Sequence, residues 1–268
     1  MNILKHIRNI LILATGLAFL GASALAETKL DQVLKRGSLQ VGFDTFVPWA
    51  FKDKDGNLAG FEIDVATKLA KDLGVKPEFV PTEWSGIIPA LLTDKFDVVI
   101  GGLGVTPERA LKVNFSNPYE WSGIDVVASK KKLPGLKSLS ALNKKGIVIA
   151  VRLGSTTVQA AKKAAPLAEI RQFDTDEALV QEVLNGNAQA AFSSSPTPAF
   201  WVADYPDSLY RPLGGTLLNN QPSAFAVKKG DFDTLAFFNS WILINQDWLK
   251  ERADYWYGTR DWKKLLSK

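Results

Sequence analysis

The chain has 268 residues, 32 basic against 28 acidic side chains, no cysteine and one histidine, His6. The lack of cysteine excludes disulfides, thiol nucleophiles, thiolate metal sites and lipid attachment at a processed cysteine. With no histidine beyond residue 6, histidine-based triads, histidine-held zinc and the commonest neutral-pH base are excluded too.

Lys5 and Arg8 precede an apolar run from Ile10 to Phe19, and Ala24-Leu25-Ala26 offers a small-residue cleavage site. This order predicts a signal peptide over 1–26, removed after Ala26 on export. An uncleaved anchor is the competing reading, but Thr15 and Gly16 interrupt a run that falls short of the roughly 20 residues a spanning helix needs. No later segment has an apolar run of that length, so the mature chain is expected to be soluble. Taking Lys5 and Arg8 from the 32 basic residues leaves 30 against 28. The short lysine runs at 130–132, 144–145 and 162–163 are scattered, which suits solvated surface and argues against nucleic acid.

From Leu39 the pattern alternates strand and helix. Leu39 to Phe43 reads as a strand, and Ile63 to Leu73 as a helix with Val65, Leu69 and Leu73 on one stripe. A strand follows at Lys76 to Val80, a short helix at Ile87 to Leu92, and an apolar strand at Val98-Val99-Ile100 suited to a parallel sheet. The same grammar restarts with strand Ile147 to Val151, helix Val158 to Ala164, strand Ile170 to Phe173, helix Glu177 to Leu184 and strand Ala190 to Phe192. Two such units predict two α/β lobes with parallel-rich sheets. The stretches 130–134 and 212–222 read as junctions. A long helical pattern through Leu235, Phe238, Trp241, Asn245 and Leu249 is expected to return to the first lobe. The division is therefore residues 27–126 with 220–268 as lobe 1 and 127–219 as lobe 2, joined by a two-strand hinge that allows closure on a ligand.

Ligands of such sheets sit beyond the carboxyl ends of the strands. Arg109 follows the run Gly101-Gly102-Leu103-Gly104-Val105-Thr106-Pro107-Glu108. It reads either as a two-pronged clamp for a carboxylate or as a surface arginine paired with its own helix. Gly102 and Gly104 leave backbone groups uncovered for a ligand, or simply make a turn. Ser155 and Thr156 either cap a helix or also present its N–H groups to an anion. Trp84 reads as a core aromatic or a stacking platform, and Asp44 as a local cap or a ligand contact. Phe46 and Trp49 are softer candidates for the same pocket.

The segments Leu58 to Gly74, Trp84 to Leu92, Phe96 to Tyr119 and Val151 to Thr157 resemble the periplasmic solute-binding proteins of polar amino-acid ABC importers, solute-binding protein family 3. That resemblance spans nearly the whole mature chain. It implies that Arg109 and the Gly154-Ser155-Thr156 turn grip a ligand carboxylate from opposite lobes, that Trp84 stacks on the ligand, and that Asp44 stands near a distal cation. It implies a serine or threonine where this chain has Gly104. It also implies an aspartate for the ligand ammonium where this chain has Ser194, so that Ser193, Ser194 and backbone carbonyls take over the amine or the ligand lacks one. The expected protein is a non-catalytic, monomeric binding component that takes a small carboxylate-bearing ligand, most simply an amino acid, and delivers it to an inner-membrane ABC permease. No cofactor or metal is expected. The alternative is an enzyme on the same scaffold resembling cyclohexadienyl dehydratase.

Overall fold

The computed structural model describes residues 27–266, and the signal expected at 1–26 lies outside them. Along the chain run α1 (Lys29–Arg36), β1 (Ser38–Phe43), β2 (Phe51–Lys52), β3 (Leu58–Ala59), α2 (Phe61–Asp72), β4 (Lys76–Pro81), α3 (Ile87–Leu92), β5 (Val98–Val99), α4 (Pro107–Ala110) and β6 (Asn114–Ser122). Next come β7 (Ile124–Ser129), β8 (Val148–Arg152), α5 (Thr156–Ala164), β9 (Glu169–Phe173), α6 (Asp176–Leu184), β10 (Ala190–Ser194), α7 (Thr197–Asp204) and β11 (Leu209–Tyr210). Then follow β12 (Gln221–Val227), α8 (Phe232–Ile244), α9 (Gln246–Gly258) and a 3-10 helix at Asp261–Leu265. No helix among the described residues is long and apolar enough to cross a membrane.

Two five-stranded sheets form, in the orders β4-β1-β5-β12-β6 and β11-β7-β10-β8-β9. Each has a parallel trio: β4, β1 and β5 in one, β10, β8 and β9 in the other. Antiparallel strands complete each sheet. Central strands are covered on both faces, which is why Val41, Val98, Ala150 and Val151 are fully buried and read as apolar runs. On α2, Val65, Ala66, Leu69 and Ala70 form the buried stripe that its periodicity predicts. The result is the two-lobed α/β architecture expected from the sequence.

The chain crosses between sheets twice. β6 ends in the first sheet at Ser122 and β7 begins in the second at Ile124, with Gly123 between them. The stretch 130–134 follows β7 and stays with the second sheet, so it is not the crossing. The passage comes earlier because β6 and β7 form one nearly continuous extended run with no loop composition to mark the change. The return lies between Tyr210 and Gln221, overlapping the stretch 212–222. The crossings run side by side: the Leu218 N–H donates to the Ile124 carbonyl at 2.8 Å, and the Ile124 N–H to Asn219 Oδ1 at 2.9 Å. A Cβ at position 123 would meet the Asn219 carbonyl oxygen at 2.3 Å, so glycine permits this close approach.

The C-terminal helical pattern packs on the first sheet as expected, with Phe238, Trp241, Ile242, Leu249 and Trp256 in its core. It is two helices and not one. Asn245 sits between α8 and α9, and its side chain donates back to the Trp241 carbonyl at 2.9 Å, supplying a local alternative to helical continuation.

Candidate functional site

A cleft lies where the carboxyl ends of the two parallel trios face each other, enclosing about 660 Å³ with its open mouth included. All eight residues singled out in the sequence, Asp44, Trp84, Gly102, Gly104, Arg109, Ser155, Thr156 and Ser194, line this one cavity. Phe46 and Trp49 line it too, with their rings stacked at 4.4 Å between centroids. Arg152, Asp176 and Gln221 also face it and were not singled out.

Thr106 and Pro107 set the position of Arg109. The Thr106 hydroxyl accepts from the Arg109 N–H, capping the short α4 that proline opens. Arg109 Nη1 then donates to the Gly104 carbonyl at 2.7 Å, and Nη2 to the Gly154 carbonyl across the cleft at 3.0 Å. Both acceptors are neutral, and burial draws the guanidinium down to about 10 while Glu108 pulls the other way. It remains cationic at neutral pH.

The glycines before it serve different ends. Gly102 adopts φ 66°, and its N–H donates to the Tyr119 hydroxyl at 3.0 Å. A Cβ at Gly104 would lie 2.1 Å from Gln221 Nε2. The Gln221 side chain thus fills the space that a serine or threonine would take at 104. Its Oε1 accepts from the Thr156 hydroxyl at 2.9 Å, a second bond between the lobes.

On the second lobe Ser155 caps α5. Its Oγ accepts from the Thr157 N–H, lies 2.5 Å from Thr157 Oγ1, and donates to the Arg152 carbonyl at 2.8 Å. The hydroxyl is engaged within its own turn, while the helix start faces the cavity with its partial positive charge.

Asp44 is already engaged. Arg152, whose side chain is 7% exposed, reaches from the end of β8 and places Nη2 2.5 Å from Asp44 Oδ2. Its Nη1 is 3.4 Å from Asp176 Oδ2, and its Nε donates to the Asp174 carbonyl. Burial raises the Asp44 carboxyl even though Arg152 opposes it. Asp176 opens α6, accepts from the Ser193 hydroxyl at 2.5 Å, and is pushed up to about 6 by burial against the pull of Arg152. Ser194 closes β10 beside it. The Trp84 ring lies 5.8 Å from the Arg109 guanidinium and 5.7 Å from that of Arg152, both within cation–π range.

Behind the first wall is a buried acidic chamber. The Tyr119 hydroxyl donates to Glu62 Oε2 at 2.7 Å, and Glu120 lies close enough to Glu62 to raise it further. Burial pushes Glu120 to about 7. Neither of its oxygens closes a hydrogen bond, though Tyr257, Trp49 and Ser223 are near enough to lower it somewhat.

A cleft between two hinged α/β lobes, gripped by side chains from both, defines a solute-binding protein. The chain belongs to the bacterial extracellular solute-binding proteins, family 3, whose model matches residues 39–259. It is 32% identical over 235 residues to the L-cystine-binding protein TcyJ of Escherichia coli K12, covering 87% of each chain. Among solved structures, it is similar to an ancestral amino acid-binding protein described as a precursor of cyclohexadienyl dehydratase, with 41% identity and a TM-score of 0.79 over 86% of this chain and 100% of that one. It is also similar to a putative ABC-transporter binding component from Wolinella succinogenes complexed with lysine, with 35% identity and a TM-score of 0.79 over 85% and 99% of the chains.

Proposed function

We propose that this protein is the exported, periplasmic binding component of an ABC importer, capturing an amino acid or close derivative between its lobes as a monomer and delivering it to an inner-membrane permease. The observation that carries this reading is Arg109: a cation in the cleft whose hydrogen bonds go to neutral carbonyls of both lobes. A ligand carboxylate replaces neutral acceptors with a charged one, and such bonds contribute about 1.5–3 kcal/mol each. Because one partner carbonyl lies on each lobe, binding and closure are coupled. The binding relatives support the same reading. A thermal-shift screen of the common L-amino acids and L-cystine tests it, since ligands of the native state raise the melting temperature. Failure of every amino acid to do so would overturn it.

Elimination chemistry on the same scaffold is the second reading. It draws on Asp176, a carboxyl in the cleft pushed close to neutrality and therefore suited to proton donation. Incubation with prephenate and arogenate decides between the two: absence of product at stoichiometric protein concentration supports binding, whereas turnover would establish an enzyme.

A further inference from the structure

Four charged side chains line the cleft: Asp44, Arg109, Arg152 and Asp176. Arg152 lies between the two carboxylates, 2.5 Å from Asp44 and 3.4 Å from Asp176. One guanidinium thus serves two acids, and with both ionised this corner carries one uncompensated negative charge. The deficit falls on Asp176. Its Oδ1 accepts from Ser193, but Oδ2 has no hydrogen-bond donor although the side chain is only 6% exposed. Arg152 directs Nη2 and Nε to Asp44, Thr45 and Asp174 instead. A buried carboxylate oxygen without a donor is costly and calls for a cation.

The cleft is therefore dipolar, with Arg109 positive and the Asp176 corner negative. A simple carboxylate satisfies the first and leaves the second unmatched, and a dianion is repelled by it. We propose that Asp176 Oδ2 receives a protonated amine of the ligand, making this residue the determinant that selects zwitterions over plain carboxylates. This proposal rests on the amino-acid reading above. Ser194, at the end of the adjacent strand, is neutral and supplies no charge for that amine.

The test compares the amino acid that stabilises the protein most in the thermal-shift screen with its 2-hydroxy analogue, by calorimetry. At pH 7.5 the unmodified protein should favour the amine by at least about tenfold. Asp176→Asn should reduce that preference to less than about threefold. A second measurement needs no variant. The charged groups facing Asp176 are Arg152 on β8, Asp44 after β1 and Glu177 on its own helix. Lowering the pH to 5 protonates Asp176, so amino-acid affinity should fall about tenfold while hydroxy-acid affinity does not. An unchanged amine preference in Asp176→Asn, or equal pH profiles for the two ligands, would overturn the proposal. If no amino acid binds the unmodified protein, the underlying reading fails first, and a different result marks that failure.

Discussion

Arg109 on the first lobe and Arg152 on the second both enter one cleft and both lie within 6 Å of the Trp84 ring, yet they are held by opposite means. Arg109 is oriented by carbonyl dipoles, which aim a guanidinium without neutralising it. Arg152 is oriented by carboxylates, which aim it and spend its charge. The first arrangement leaves a cation for the ligand, whereas the second makes a brace from one lobe to the other and leaves a carboxylate oversupplied. Residue type alone therefore does not determine what an arginine in a cleft does; the charge of its partners does.

Removing each arginine should separate stability from affinity. Arg152→Ala leaves Asp176 of the same lobe, and Asp44 while the lobes meet, without their shared cation, so the protein should lose about 3–5 kcal/mol of stability at pH 7.5 in urea denaturation. A loss below about 1 kcal/mol would mean that water readily solvates both acids, and the contrast would fail. Arg109→Ala should do the reverse. Amino-acid affinity should fall by about 2–4 kcal/mol, a hundredfold or so, in calorimetry, while the melting of the ligand-free protein moves little. Equal affinity in variant and parent would remove the anchor assignment.

The region behind each wall sharpens the comparison. Asp44 and Asp176, one from each lobe, share the Arg152 cation, whereas Glu62 and Glu120 face each other without one. Burial raises Glu120 from 4.5 to about 7, so folding takes up a proton. Its contribution to stability is fully present below its unfolded pKa and is lost as the pH rises through about 7. The parent protein should accordingly be less stable at pH 8.5 than at pH 6, with Glu62, raised in the same direction, adding to the slope. Glu120→Gln should flatten the slope and gain on the order of 2 kcal/mol over the parent at pH 8.5. Parallel stability profiles for variant and parent would show that the chamber is hydrated.

The same contrast explains what could be read from sequence. The fold was legible because apolar runs, helical stripes and glycine stops are local patterns; the glycine-rich turn drew attention to Arg109 but left a helix-paired surface arginine open, and its part as a carboxylate clamp came from the family resemblance. Arg152 was harder to find because it ends an ordinary buried strand, and its partner Asp44 is 108 residues away. Asp176 carries no signal of its own, because an acid in the first turn of a helix is already accounted for by the helix N-terminus. The usable signal was positional: both residues lie at the carboxyl ends of parallel strands, where such folds bind ligands. Gln221 had no such signal, since its role depends on the space left by Gly104 on a distant segment. Asn245 was absorbed into one helix because the apolar period continues through it, and period alone does not register a side chain that competes for backbone bonds.

The smallest expected effect tests whether contacts between the lobes act through closure. Besides the arginines, Thr156 Oγ1 donates to Gln221 Oε1 at 2.9 Å, joining the start of α5 on one lobe to the first residue of β12 on the other. Thr156→Val keeps the shape and the β-branched side chain but removes the donor. A neutral bond of this kind contributes about 0.5–1.5 kcal/mol, and the bond exists only while the lobes meet. Neither lobe's own core depends on it, so the melting of the ligand-free protein should stay within the error of the measurement. Ligand affinity should still drop about two- to tenfold, because a weaker closed state lowers the apparent affinity of a ligand that needs it. That loss should appear mainly as faster dissociation in stopped-flow fluorescence, since the ligand is released when the lobes part. Unchanged dissociation would place Thr156 on the cleft wall without a part in holding it shut, leaving Arg109 as the contact that joins ligand capture to closure.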